Sequence, residues 1–286
     1  MTLRRDMMTA AKMAAPLLGD RAELVAGFLL GQIHDDGGFK GRGPDSDLYY
    51  TVFGVEALIA LKAGLPFGRI ETFLHRFNPK DQDLVHLACL GRCRADLADS
   101  KGQAIDPVVR DGLLQAVKAY KEASIYECFL TLGLYQDLGW DLPDAAKVVD
   151  RIHSLQMPDG GFTNTASMQV GATPATAAAI TVLHYLGQPI PKPAIGFLSS
   201  QVHPSGGFSV FPCPGSPIAP DLLSTATALY ALTLAGQSLG GIRQPCLGFV
   251  ESLWSPQGGF RGTATDPVVD CEYTLYGLLA LGHLAP

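Results

Sequence analysis

One motif returns four times along this chain and limits its fold more than any other feature. Phe28-Leu-Leu-Gly-Gln-Ile-His-Asp-Asp-Gly-Gly-Phe39 is echoed by Ile152-His-Ser-Leu-Gln-Met-Pro-Asp-Gly-Gly-Phe162, by Phe197-Leu-Ser-Ser-Gln-Val-His-Pro-Ser-Gly-Gly-Phe208 and by Phe249-Val-Glu-Ser-Leu-Trp-Ser-Pro-Gln-Gly-Gly-Phe260. The Gly-Gly pairs start at residues 37, 160, 206 and 258, and the long first interval has room for two degenerate copies. Repetition on this scale marks an array of supersecondary units, none of which can bury its apolar face alone.

Each unit reads as a helical hairpin. Before the Gly-Gly lies an amphipathic segment, as in Pro107 to Ala123, which sets Arg110, Asp111, Lys118, Lys121 and Glu122 beside Val108, Val109, Leu113, Leu114 and Val117. After it comes a segment apolar nearly all round, the mark of a buried helix. Asp47-Leu-Tyr-Tyr-Thr-Val-Phe-Gly-Val-Glu-Ala-Leu58 and Asp270-Cys-Glu-Tyr-Thr-Leu-Tyr-Gly-Leu-Leu-Ala-Leu281 agree at Asp, Tyr, Thr, Gly, Ala and Leu, and the segments from Asp221 and Thr173 are looser versions. Gly-Gly allows a tight turn between the helices, with the following aromatic beneath it. Hairpins starting near residues 20, 67, 107, 143, 192 and 243 make six. The expected fold is therefore all-α, an (α/α)6 toroid of inner and outer helix rings, as one domain over 1–286 with 1–19 as an N-terminal extension.

Bulk properties narrow the function. The net charge is -6 and the 21 Lys and Arg are scattered, so no stripe exists to follow a nucleic-acid backbone. No apolar run approaches the roughly 20 residues of a transmembrane helix, which leaves peripheral membrane contact only. Asp6 and Lys12 interrupt the N-terminal stretch, unlike a signal peptide. Six dispersed cysteines without a CxxC pair point to free thiols and a cytoplasmic setting.

Candidate site residues gather at the heads of the inner helices. Asp47, Asp221 and Asp270 stand where an N-cap belongs, a role that by itself explains their position, and a cavity role can hold at the same time. Tyr49, Tyr50, Tyr126, Tyr273 and Tyr276 offer aromatic faces. Glu127 and Glu272 are carboxylates on otherwise apolar helices, expensive to bury without a partner or a task. His86 follows Asp83 by three residues, and Cys271 is read as a core thiol or a ligand. The proline-rich run Pro212 to Pro217 is expected to shape a cavity mouth.

These Gly-Gly-Phe copies and their inner helices resemble the prenyltransferase and squalene-oxidase repeat family, and the resemblance spans nearly the whole chain. It implies a central apolar cavity that handles a prenyl diphosphate or polyprenyl substrate, by prenyl transfer or by protonation and cyclisation. Catalytic roles then fall to Asp47, Glu127, Asp270 and Glu272, and substrate contacts to Tyr49, Tyr50, His86, Tyr126, Asp221, Cys271, Tyr273 and Tyr276. Family β-subunits pair with another chain, so the resemblance points to a helical partner subunit, with a homodimer or a monomer also open. The family's prenyltransferases hold zinc through Asp-x-Cys and a histidine three residues after an aspartate. Here Leu223 and Tyr273 stand at the cysteine and histidine places, so zinc is not expected, while magnesium with a diphosphate stays open. The Asp-x-Asp-Asp acid of the family's cyclases is matched only in part, by Asp45-Ser-Asp47 and His34-Asp35-Asp36. Two other readings remain: a non-catalytic lipid-binding or scaffold module, and a carbohydrate-active toroid, which would need facing carboxylates and sugar-stacking tryptophans.

Overall fold

The computed structural model describes residues 2–121, 123–212 and 218–286. Glu122 and residues Cys213 to Pro217, most of the run expected to shape a cavity mouth, lie outside the described residues. In chain order the helices are α1 (Leu3–Lys12), α2 (Ala15–Leu18), α3 (Arg21–Gly31), α4 (Leu48–Ala60), α5 (Phe67–Leu74), α6 (Leu84–Ser100), α7 (Pro107–Val117) and α8 (Ile125–Asp137). They continue with α9 (Ala145–His153), α10 (Thr173–Tyr185), α11 (Lys192–Ser200), α12 (Leu222–Leu234), α13 (Arg243–Ser252) and α14 (Cys271–His283). A two-residue hairpin, β1 (Phe39–Lys40) and β2 (Ser46–Asp47), follows the first Gly-Gly.

Among the described residues α4, α6, α8, α10, α12 and α14 form the inner ring. Each packs on the next, and α14 packs back on α4, so the ring closes with no open edge. Helices α3, α5, α7, α9, α11 and α13 lie outside, one per hairpin. They begin at 21, 67, 107, 145, 192 and 243, close to the repeat's own spacing. Helix α7 stops at Val117, short of the expected Ala123, and Ser124 caps the start of α8. No helix among the described residues is long and apolar enough to cross a membrane.

The repeat earns its regularity from one shared set of contacts. Phe39, Phe162, Phe208 and Phe260 are fully buried. Their backbone N–H groups donate to the hydroxyls of Thr51, Thr176, Thr225 and Thr274 at 2.9, 2.8, 3.0 and 3.3 Å, one turn into the inner helix that follows. A buried N–H thus meets a buried hydroxyl and neither is orphaned. The first glycine of each pair sits where no side chain fits. Gly37 has φ +96° and a Cβ there would lie 2.1 Å from the Arg69 carbonyl oxygen of α5, while Gly258 has φ +102° and its Cβ would lie 2.2 Å from that of Leu24 in α3. Every Gly-Gly turn therefore docks on the outer helix of the next hairpin, and the last docks on the first.

Helix α1 crosses the ring at the C-terminal ends of the inner helices, packing on α14, α4 and α8. The Leu3 N–H donates to Gln136 Oε1 at 2.9 Å, and a Cβ on Gly282 would collide with the Ala10 carbonyl. The ring therefore has a floor at this end, opposite the Gly-Gly turns.

Candidate functional site

The inner helices enclose a central cavity of about 560 Å³, inside the roughly 300–1,000 Å³ that small-molecule sites occupy. Small residues on one side make the space: Ala172, Pro174, Ala175, Ala177 and Ala178 form the α10 wall, where longer side chains would have filled the ring. Val52, Phe53, Phe129, Leu223, Leu275 and Leu279 make the rest of the wall apolar.

Polar groups sit at the two ends. At the Gly-Gly end Tyr49, Tyr126 and Tyr276 border the cavity with Asn164. The Tyr49 hydroxyl donates to Glu272 Oε1 at 2.6 Å. Burial raises the Glu272 carboxyl above its ordinary range, against the pull of that hydrogen bond. Burial also pushes the Tyr126 phenol up to about 12 and the Tyr49 and Tyr276 phenols further, so all three stay protonated donors. Tyr49 packs edge-on against Phe53, whose ring meets Tyr276, giving a continuous aromatic wall below the mouth.

The other residues singled out in the sequence lie around this rim. Asp47 caps α4 by accepting from the Tyr49 and Tyr50 N–H groups, and Asp221 caps α12 by accepting from the Ser224 N–H and hydroxyl. Asp270 caps α14 through the Tyr273 N–H and also takes Arg42 Nε at 3.0 Å. Glu127 closes a capping box with Ser124. Tyr50 lies against Gly41 and Tyr273 against Gly262, and Arg42 stacks over the Tyr273 ring. The His86 imidazole is hydrogen-bonded to Asp83 in the first turn of α6, and the buried Cys271 thiol points toward the Lys40 carbonyl. Of the twelve candidates, Tyr49, Tyr126 and Tyr276 line the cavity, and Glu272 reaches it through Tyr49.

At the opposite end lies a cluster that sequence reasoning missed. Arg4 and Met7 of α1 rise into the cavity floor beside Glu56, Arg92 and Asp137. Arg4 donates to Asp96 at 2.5 Å, Asp99 at 2.6 Å and Asp137 at 2.8 Å, while Arg92 clasps Glu56 with both Nε and Nη2. Asp137 is held at about 6 by burial against the pull of Arg4. Burial and the neighbouring Glu56 raise Asp96 well above the carboxylate range, against Arg4 and Arg92. Beside the cluster, Tyr185 donates to Asp6 and shares a 2.8 Å hydrogen bond with Tyr230, which borders the cavity. A signal was present: Glu56 stands in the run Val55-Glu56-Ala57-Leu58 and meets the criterion that singled out Glu127 and Glu272.

The donor chemistry at the family's zinc position does not suit that metal. Zinc takes thiolate, imidazole and carboxylate, whereas Leu223 and Tyr273 offer neither thiolate nor imidazole and Asp221 is engaged by Ser224.

A family model described as the prenyltransferase alpha-alpha toroid domain matches residues 8–109, 111–192 and 190–284. No curated protein matches the sequence. Among solved structures, a wild-type glycosidase shares 11% identity over 97% of this chain and 98% of its own, with a TM-score of 0.63. A type II terpene cyclase from Scytonema, in complex with geranylgeranyl dihydroxybenzoate as substrate, shares 12% over 97% of each chain, with a TM-score of 0.58. A protein from Actinoplanes shares 16% over 93% of this chain and 99% of its own, also at 0.58. At such identities the likeness is one of fold.

Proposed function

This chain belongs to the prenyltransferase alpha-alpha toroid family, and on that premise we propose that it is an isoprenoid-handling enzyme whose central cavity takes a prenyl diphosphate or polyprenyl substrate. The observation that carries the reading is the cavity itself: apolar walls, phenols at the mouth and charged groups confined to the floor. An isoprenoid chain transferred into such walls gains about 0.8 kcal/mol per buried methylene. The faces of Phe53, Phe129 and the three tyrosines would steady a carbocation formed along the chain. Glu272, whose hydrogen-bond donor Tyr49 lines the cavity, supports this reading as the rim carboxyl assigned to the substrate. Asp47, Glu127 and Asp270 hold the helix heads that carry the tyrosines.

A carbohydrate substrate is less well supported despite the glycosidase neighbour. Neither tryptophan borders the cavity: Trp254 packs on Phe260 and Trp140 is half exposed to solvent. The carboxylates that do border it, Glu56 and Asp137, are both tied to arginines, not free to act as an acid and nucleophile pair.

Native mass spectrometry of the protein with farnesyl and geranylgeranyl diphosphate, with and without magnesium, followed by product analysis, tests the proposal. One bound equivalent and a new hydrocarbon, alcohol or prenylated product are expected. Binding without turnover would reduce the protein to a lipid-binding module, and no binding would remove the isoprenoid.

A further inference from the structure

The two guanidiniums that border the cavity are not engaged alike. Arg4 uses all three of its nitrogens, Nε on Asp137, Nη1 on Asp96 and Nη2 on Asp99. Arg92 uses two: Nε and Nη2 clasp Glu56, and Nη2 also lies 3.8 Å from Met7 Sδ. Its Nη1 makes no hydrogen bond among the described residues. Protein encloses Arg92, yet its side chain keeps 21% of its surface accessible and lines the cavity, so the bare part faces inward. The guanidinium stays charged there: burial works against its proton, and the pull of Glu56 outweighs burial.

A charged donor beside apolar walls is expensive to leave without an acceptor, and a ligand that fills the cavity displaces the water that would otherwise serve it. An occupant that brings an acceptor to this point is favoured over one that does not. The local charge says which kind of acceptor. Arg4 and Arg92 are the only cationic residues lining the cavity among the described residues, and they face the buried carboxyls of Glu56, Asp96 and Asp137. Three carboxyls against two guanidiniums leave no positive charge for a phosphate or a carboxylate, so the fitting acceptor is uncharged. Access is open along the wall. Ala88, one turn earlier on the same face of α6, and Gly133 of α8 both line the cavity, and a Cβ on Gly133 would meet nothing within 4 Å.

We propose that Arg92 Nη1 anchors an uncharged oxygen, a hydroxyl, carbonyl or ether, carried by the end of the ligand that reaches the floor, so that the cavity takes an oxygenated isoprenoid inserted oxygen-first. That the chain is an isoprenoid rests on the proposed function; the anchor does not. The free N–H groups of Nη1 donate to the ligand oxygen. Glu56 holds the opposite edge of the same planar guanidinium and so fixes the direction in which Nη1 points. The mouth, with Tyr126 and Asn164, is the competing place for such an oxygen.

Displacement of a fluorescent apolar probe from the cavity gives the affinities of geranylgeraniol and of the same chain without its hydroxyl. Dodecanol and dodecane form a second pair that contains no isoprene unit. The R92M/E56M double variant removes the anchor together with its counter-ion, a replacement that buried ion pairs often tolerate. It is expected to weaken each alcohol by about 10- to 100-fold, the effect of one hydrogen bond to a charged group, and to leave each hydrocarbon unchanged or tighter. Comparing each ligand with itself across the two proteins cancels its hydration in water. R92K keeps a charge beside Glu56 without the planar fork; it is expected to shift the alcohols in the same sense and serves if the double variant does not fold. Failure of wild type to bind either alcohol, equal losses for alcohol and hydrocarbon, or alcohols unaffected in the folded variants would overturn the anchor, the last by placing the oxygen at the mouth. Dodecanol bound through Arg92 with neither isoprenoid bound leaves the anchor and removes the isoprenoid reading. Isoprenoids bound without an alcohol-specific loss do the reverse.

Discussion

The Tyr49 hydroxyl donates to Glu272 at 2.6 Å, and through it the first inner helix grips the last. The same seam is spanned by Arg42, which reaches from the β1–β2 hairpin to Asp266 and Asp270. That hydrogen bond therefore both adds to the closure of the ring and fixes a phenol at the cavity mouth. Y49F leaves Glu272 without its donor and is expected to cost about 1–2 kcal/mol. Urea unfolding checks it: the midpoint should fall with an unchanged slope, and an unchanged midpoint would mean that the seam is held elsewhere.

The glycine turns divide into those that touch a neighbouring helix and those that do not. G258A drives a Cβ to 2.2 Å from the Leu24 carbonyl at a positive φ, whereas a Cβ on Gly64 meets nothing within 4 Å. G258A is expected to destabilise by roughly 3 kcal/mol or more, and G64A to change stability by less than about 1 kcal/mol. Thermal unfolding of the two variants side by side distinguishes them, and equal melting temperatures would refute the docking role of the turn.

Two buried groups give opposing pH slopes. Asp137 is raised from 3.8 to about 6, so between those values the native state holds a proton that the unfolded chain has lost. Its contribution is present below pH 4 and lost as pH rises through about 6, on the order of 3 kcal/mol. Burial lowers His283 from 6.5 to about 4, and its contribution is present above 6.5 and lost as pH falls through about 4. Between about pH 4 and 6 these two contributions oppose each other. H283Q should lose stability as pH rises across that window, and D137N should gain it. Urea midpoints measured across the window test both, and profiles parallel to the wild type would remove the two groups from the account.

Filling the cavity tests the site without touching a charge. Ala178 lines it from α10, and A178F places a phenyl ring where the chain is proposed to lie. Fold stability should change little while the melting-temperature rise with geranylgeranyl diphosphate disappears; a rise equal to the wild type would place the ligand elsewhere.

The hairpins were legible because their signals are local. Gly-Gly-Phe, the threonine that receives the phenylalanine N–H and the capping aspartate all lie within one unit, so each copy repeats its own instructions. Helix starts such as Phe67, Pro107, Lys192 and Arg243 followed directly. The rim was partly legible, since Tyr49 and Tyr276 belong to those same units. The floor was not. Arg4, Glu56, Arg92, Asp96 and Asp137 share no spacing and meet only because helix ends converge beneath α1. A residue such as Arg4 reads as one half of a solvated Arg-Arg pair until the ring around it exists.

The meeting of α1 with α14 sets the order of events during synthesis. Residues 3–12 rest on residues 271–283, so the floor is laid only after the last inner helix has left the ribosome. At roughly 5–20 residues per second, the earlier hairpins must wait with their inward faces bare, and contacts of such long sequence separation close slowly. The nascent chain is therefore the state most in need of chaperone cover, and substitutions that slow α14 should lower soluble yield before they lower stability.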